Sequence, residues 1–242
     1  YGYKLEKGGI IMKRKIACLL ACVLLCISFC SCGKLTSPVE DFTYEFEEGT
    51  VKITGYTGAD REIVVPDTIE ERPVTTIGEE AFSGYDLVSI VLPDTLKTIE
   101  KDAFYQCTNL KSIEVPDGVT EIGTRAFDKC EELINVNLPD TLTLLDSAAF
   151  YECISLKEIT IPKKLTELEN ALFYGCTSLE NIVIPDNIEK IGKKVFYGCE
   201  NLKSVTMSDT LIEKEKNNFD IFDGCPNVKI NGILISEFNT GS

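Results

Sequence analysis

The sequence predicts an elongated solenoid, in which one short unit is stacked on copies of itself. The stretch 99–121 recurs along the chain, and regular coils start at Ile77, Ile99, Ile122, Leu145, Leu168 and Ile191. Their period is therefore 22 residues once and 23 residues four times. Such self-similarity is typical of repeat proteins, whose units bury their apolar faces only against neighbouring units. We expect one elongated domain.

The front of the chain resembles an export signal. A basic stretch after Met12 is followed by the short apolar run 16–29, which suits a signal peptide and is too short to span a bilayer. We place the translation start at Met12. Ser31 and Cys32 then resemble a bacterial lipoprotein processing site, although Phe29 stands where such sites prefer leucine. We predict a lipid anchor on Cys32, the only contact with a membrane, with plain secretion as the alternative.

Segment 32–41 is predicted to be an anchor and linker, and 42–54 an N-terminal β cap. In the cap, Phe42, Tyr44 and Phe46 alternate with polar residues before Gly49 interrupts them, which indicates a β-hairpin. A hairpin here would cover the open apolar end of the first coil. The array itself is assigned to 55–231, and its first coil is irregular.

Two positions on one side of each coil carry the same residue types in nearly every repeat. One column is phenylalanine, and it comprises Phe82, Phe104, Phe127, Phe150, Phe173 and Phe196. Three residues later comes Tyr85 in the first regular coil and cysteine in the others, at Cys107, Cys130, Cys153, Cys176 and Cys199. The spacing is close to one helical turn, so we expect a short helix or 3₁₀ turn on the convex side of the solenoid.

The sequence pattern on the other side of each coil predicts a strand. Leu110, Ile113, Val115 and Pro116 illustrate the recurring Leu-x-x-Ile-x-Ile-Pro pattern, whose alternation places two apolar side chains on one face. We expect one short strand per coil, stacked in parallel and ended by the proline. The last coil carries a three-residue insertion within 213–218, and 232–242 should form a C-terminal cap and tail.

Together these motifs resemble the BspA-like leucine-rich-repeat family of microbial surface proteins. The resemblance covers about residues 42–235 and rests on the pattern Ile-Gly-x-x-Ala-Phe-x-x-Cys-x-x-Leu-x-x-Ile-x-Ile-Pro. It implies a right-handed, curved leucine-rich-repeat solenoid that is exported and exposed at the cell surface, in some members for adhesion. The family pattern supplies no catalytic residues.

Composition restricts the function further. The net charge is -15, which disfavours nucleic acid because phosphate binding needs clustered Lys and Arg. The chain has no histidine, so a Ser-His-Asp triad and a histidine-bearing zinc site are excluded. We predict no cofactor, no metal and no catalytic residue.

Two polar columns have a structural and a functional interpretation. The array cysteines, including Cys225, are even in number, yet equivalent positions project in parallel and cannot easily adopt the disulfide dihedral. We interpret them as buried thiols. Aspartates follow the strands, with Lys163 replacing one of them. These are turn residues, or alternatively calcium ligands: Asp67, Asp94, Asp117, Asp140, Asp186 and Asp209.

Two surfaces are candidate binding sites, and for each a purely structural role is the alternative. On the concave strand face the candidates are Ser112, Glu114, Asn135, Asn137, Glu158, Thr160 and Asn181. On the convex flank they are Tyr105, Tyr151, Tyr174 and Tyr197, in a run that Asp128 interrupts.

The sequence therefore predicts a non-catalytic cell-surface interaction or adhesion module. Its partner would be a protein or a glycan on a host or neighbouring cell. The alternatives are a structural surface-coat protein or, on carboxylate chemistry, a glycan-binding or glycan-hydrolysing protein. The sequence does not fix the oligomeric state.

Overall fold

The computed structural model describes residues 36–216 and 218–238, which belong to one compact unit. The predicted signal peptide and Cys32 lie outside the described residues. Within the described part of the chain, the predicted solenoid of stacked parallel strands is confirmed. None of the described helices is long and apolar enough to cross a membrane.

The described chain contains many short strands and little helix. The strands are β1 (Phe42–Glu47), β2 (Thr50–Tyr56), β3 (Glu62–Val64), β4 (Thr68–Ile69), β5 (Arg72–Ile77), β6 (Ser89–Val91), β7 (Thr98–Ile99), β8 (Ser112–Glu114), β9 (Glu121–Ile122), β10 (Asn135–Asn137), β11 (Leu144–Leu145), β12 (Glu167–Leu168), β13 (Asn181–Val183), β14 (Lys190–Ile191), β15 (Ser204–Thr206), β16 (Lys229–Ile230) and β17 (Ile233–Leu234). The helices are α1 (Asp209–Glu215), α2 (Ile235–Phe238) and two 3₁₀ segments, Val39–Asp41 and Phe219–Phe222.

The predicted strands form one line along the solenoid, which we call the strand face. Strands β3 and β6, β8 and β10, β13 and β15, and β15 and β16 pair in parallel, each with the same register from coil to coil. The central residue of each strand is apolar and points toward the core, as with Ile113, while its two neighbours are exposed or half-buried. Exposed side chains of successive coils therefore form two columns along this face.

A second line of strands was not predicted. The sheet order β2-β5-β7-β9-β11 runs through two-residue strands at the start of successive coils, and β12 pairs with β14 further along. Each carries one buried aliphatic residue, as in Ile99 and Ile122. Two residues are too few for a visible alternation, and for this reason the expected count of one strand per coil was too low.

The phenylalanine side of each coil is a turn with 3₁₀-type bonds, as in the N–H of Cys107 donating to the carbonyl of Phe104 (3.1 Å), and this is one of the two predicted forms. The last coil carries the 3₁₀ segment Phe219–Phe222. From Ile77 to Thr206 the structure contains no helix. The N–H of Phe104 donates to the carbonyl of Ala126 in the next coil (2.8 Å), and the other Phe N–H groups do the same. Asp102 and Gln106, on either side of this phenylalanine, have positive φ angles of 55° and 58°. Bonding between coils and left-handed residues both interrupt a helix.

The core is a continuous stack of phenylalanine rings. Each ring is parallel to the next, from Phe82 through Phe222, with interplanar angles between 2° and 9°. Phe104 and Phe127 are 5.2 Å apart between centroids, and both are fully buried. The stack explains why the phenylalanine column is invariant from coil to coil.

One junction in the array is looser than the rest. Neither strand line pairs across it: β11 forms no ladder with β12, and Glu158 forms a single bridge to Asn135 and none to β13. The rings of Phe150 and Phe173 are also the furthest apart of the stacked pairs, at 5.9 Å. Here Leu172 stands in the column where the four preceding coils have alanine.

Additional elements cover both ends of the described array. The antiparallel hairpin of β1 and β2 pairs with β5, and Tyr56 packs against the first ring, Phe82, at 6.4 Å. At the other end, the insertion forms α1, which lies against β14 in the place of another two-residue strand. The Glu215 side chain accepts a hydrogen bond from the N–H of Ile191 (3.3 Å).

Candidate functional site

A shallow groove lies on the strand face around the loose junction. Its volume is about 1060 Å³, and all seven strand-face candidates line it: Ser112, Glu114, Asn135, Asn137, Glu158, Thr160 and Asn181. The structure therefore brings these residues together, because β8, β10, the 158–160 segment and β13 occupy consecutive coils. Whether they bind a partner stays a prediction.

The floor of the groove is polar and uncharged except for two carboxylates. The two columns present carboxamides and hydroxyls, together with Glu114 and Glu158 and one apolar residue, Val183, which is 64% exposed. A carboxamide both donates and accepts hydrogen bonds, so the floor can satisfy both kinds of polar group on a ligand. The lining contains no aromatic ring.

The two floor carboxylates lack counter-ions among the described residues. Other exposed charges pair from coil to coil, as in Lys190 with Glu167 (2.9 Å) and, for a carboxylate that also lines the groove, Lys203 with Glu180 (2.7 Å). Neither Glu114 nor Glu158 has such a partner in the part of the chain that the structure describes. Lys157 and Lys163 line the groove beyond the two ends of the 158–160 segment and form its rim.

The sequence could identify part of this groove but not its extent. Strand alternation selects the floor residues, and Lys163 is visible as the substitution in the aspartate column. The same alternation turns Val183 outward, whereas Lys157 could be recognised as a lining residue only in the structure, because it lies outside the alternating segment 158–160. No sequence pattern marks the loose junction apart from Leu172 in the alanine column.

The candidate tyrosines lie along one flank, where three of them stack on one another. Tyr151 and Tyr174 have centroids 4.5 Å apart, and Tyr174 and Tyr197 are 4.9 Å apart, all nearly parallel. Tyr105 is separated from them and has the guanidinium of Arg125 over its ring at 5.6 Å. Burial raises the pKa of Tyr151 to about 12. Most ring faces are covered by other side chains, so a flat ligand would meet mainly edges and hydroxyls.

The buried-thiol interpretation of the cysteine column is confirmed. All six cysteines from Cys107 to Cys225 are free and buried. Each thiol donates a hydrogen bond to a phenylalanine carbonyl of the preceding coil, as Cys130 does to Phe104 (3.2 Å). Burial raises the pKa of Cys107 to about 12 and places those of Cys130 and Cys153 well above the ordinary thiol value.

Thiolate is the reactive form, and the hydrogen bond with Cys199 lowers the pKa of Cys225, but all six sulfurs are buried, so the native array should resist thiol reagents. We expect protein 33–242 to react with Ellman's reagent at none of its six array cysteines at pH 8, and at all six after denaturation in guanidinium without reductant. The increase in absorbance on denaturation measures this. Fewer than six thiols in the denatured, unreduced protein would mean that disulfides form, against the structure.

Two aspartates on the turn side are buried, and the repeat pattern does not predict charged residues in the core at these positions. Asp102 is 2% exposed and accepts a hydrogen bond from Arg125 (2.7 Å) through one oxygen, while its other oxygen has no partner. Asp128 stands where other coils carry tyrosine, is 6% exposed, and also has an unpartnered oxygen. Burial raises the pKa of Asp128 to about 6. The signal for Asp128 was its interruption of the tyrosine run.

The aspartates that follow the strands lie in exposed turns. The N–H of Asp94 donates to the side chain of Asp67 in the preceding coil (3.2 Å), so this pair supports coil stacking.

Elsewhere, Glu79, Glu80 and Asp102 each place a carboxylate oxygen within 4.8 Å of the others. The ammonium group of Lys101 contacts Glu79 at 2.5 Å and Asp102 at 3.5 Å, which already compensates this negative charge.

Comparison with known proteins points to one repeat family. The family described as BspA type Leucine rich repeat region matches residues 75–203 and 166–239, in six copies. No curated protein matches the chain.

Two solved structures are similar to this chain. One is the T. pallidum leucine-rich repeat protein, with 27% identity over 81% of each chain and a TM-score of 0.57. The other is a leucine-rich cell surface protein from Faecalibacterium prausnitzii, with 29% identity and a TM-score of 0.62. That match covers 72% of this chain and 55% of the other, so this chain spans little more than half of that relative.

Proposed function

Because the chain belongs to the family described as BspA type Leucine rich repeat region, we propose that it is a non-catalytic protein-interaction module at the cell surface. Its groove on the strand face is the partner-binding surface, and its role is adhesion to a host or neighbouring cell. The mature protein is held at the membrane by a lipid on Cys32.

One observation carries the proposal: the residues that vary from coil to coil come together in the groove. Phenylalanine and cysteine are buried in the stack and cannot meet a partner, and the strand aliphatics are buried, or half-buried at Val136, beneath the groove. The floor positions are exposed, differ between coils and line a volume of about 1060 Å³. The surface-localised relative from F. prausnitzii supports the location at the cell surface.

A non-catalytic role fits the chemistry of the groove. Carboxylate-based glycan hydrolysis needs two acids roughly 5–9.5 Å apart on either side of the bond that is cleaved. Glu114 and Glu158 instead lie two coils apart and in different columns of a single open floor, roughly 12 Å apart from two strand spacings and a two-residue offset along the strand. Such an arrangement can bind a ligand but does not place an acid and a base on opposite faces of it.

The test is a binding comparison with a matched pair of variants. Protein 33–242 would be labelled and exposed to host matrix proteins, to glycans and to the surface of the producing cell. We expect saturable binding to at least one of them, at least tenfold weaker for Asn137→Arg, because a long charged side chain then fills the groove. Leu144→Arg adds the same charge to an exposed position on the second strand line and should bind like the unmodified protein.

Loss of binding in both variants, or in neither, would contradict the assignment to the groove. Absence of binding to all three targets, together with ordered self-assembly of the purified protein, would instead support a structural coat. Equal melting temperatures for the two variants are required for the comparison.

A further inference from the structure

We propose that the partner segment held by the groove is an extended polypeptide that carries a basic side chain at the floor. This inference rests on the proposed function and specifies the chemistry of the ligand. Its basis is the set of groups that the floor presents and those that it leaves without partners.

The neutral part of the floor suits an extended main chain. An extended segment exposes one N–H and one C=O per residue, and both need partners when water is displaced. The carboxamides of Asn135, Asn137 and Asn181 offer donors and acceptors side by side. With no aromatic ring in the lining, nothing can pack flat against a sugar ring, which favours a polypeptide over a glycan.

The size of the groove matches a short peptide segment. It crosses four consecutive coils, at Ile113, Val136, Ile159 and Ile182. Three strand spacings of roughly 4.8 Å give about 14 Å, which is the length of about four extended residues. The exposed Val183 lies at one end of the floor and provides an apolar contact for a side chain of that segment.

The charges of the floor select the basic side chain. Glu114 and Glu158 are exposed, lie on the strand face itself and form no salt bridge with any described residue, although salt bridges between coils are common elsewhere. Charges at the centre of an interface lose water on binding and determine specificity, whereas rim charges contribute little. The lysines at the rim, Lys157 and Lys163, therefore matter less than the two floor carboxylates.

The test uses peptides that differ only in the side chain at one position. Three acetylated and amidated hexapeptides share a threonine-rich sequence and carry lysine, norleucine or glutamate at one central position. Fluorescence anisotropy with protein 33–242 at low salt should show that the lysine peptide binds about tenfold more tightly than the norleucine peptide, and the glutamate peptide most weakly. Added salt should remove most of the difference.

Variants of the floor residues then test whether the preference for the lysine peptide arises in the groove. Changing both Glu114→Gln and Glu158→Gln keeps the shape of the floor and should make the lysine and norleucine peptides bind equally. The control is Glu121→Gln, on the second strand line, which should keep the tenfold preference. Equal melting temperatures establish that all the variants are folded.

Three results would overturn the proposal: no measurable peptide binding, no preference for lysine, or a preference that persists in the double variant. Binding of maltohexaose in place of the peptides would indicate a glycan ligand and would also overturn it. If any of these occurs while Asn137→Arg still abolishes binding to a natural partner, the groove remains the binding surface and only its ligand chemistry is wrong. If Asn137→Arg has no effect, the proposed function itself fails.

Discussion

Phe127→Ala is expected to lower the free energy of unfolding by roughly 3–5 kcal/mol, as for buried aromatic residues in general. The Phe127 ring is fully buried and lies 5.2 Å from Phe104 and 5.4 Å from Phe150. Its removal leaves a cavity between the coils of Phe104 and Phe150 and interrupts the ring stack. Each coil is stable only against its neighbours, so a weakened interface affects both halves of the array.

Urea unfolding of protein 33–242 followed by circular dichroism measures this effect. Lys111→Ala serves as the control, because Lys111 is exposed in the adjoining coil and its truncation should change stability by less than about 0.5 kcal/mol. A loss below about 1 kcal/mol for Phe127→Ala would show that the ring stack is not the main source of stability.

Asp128→Asn is expected to stabilise the protein at pH 8 by about 1–3 kcal/mol, because the amide removes the charge of a buried carboxylate while keeping its shape. One oxygen of Asp128 is buried without a partner, and burial raises the pKa of the carboxyl to about 6. In the folded protein the carboxyl therefore holds its proton more firmly than in the unfolded chain. Its contribution to stability is greatest below pH 3.8 and is lost as the pH rises through about 6.

The pH dependence of the difference between variant and unmodified protein tests this explanation. The gain from Asp128→Asn should be full at pH 8 and should shrink as the pH falls from about 6 toward 4, because the native carboxyl then becomes neutral. Asp117→Asn, in an exposed turn, should give no comparable gain. A gain at pH 8 that stays constant down to pH 4, or no gain, would contradict a buried ionised carboxylate.

The sequence was sufficient for the features that repeat in every coil. The phenylalanine column, the buried cysteines and the strand alternation around Ile113 follow from periodicity, because each position meets its own equivalent in the next coil. Because identical side chains stack on one another, these contacts can be predicted without a structure. The seven floor residues followed from the same alternation, since residues on either side of a buried strand residue must face outward.

The remaining features depend on contacts that do not repeat from coil to coil. The second strand line has two residues per strand, which is too short to leave a pattern. The turn at Asp102 and Gln106 adopts left-handed angles in residues that carry no glycine signal. The loose junction, across which neither strand line forms a ladder, leaves no periodic signal in the sequence. The width of the groove could therefore not be predicted.

The central claim is that partners contact the variable strand-face residues and not the repeated core or the other faces. Photo-crosslinking tests it most directly, with a photoreactive amino acid placed either at Asn137 in the groove or at Leu144 on the second strand line. With a captured partner protein bound, the account predicts a covalent adduct from position 137 and none from position 144. An adduct from position 144 alone would contradict it.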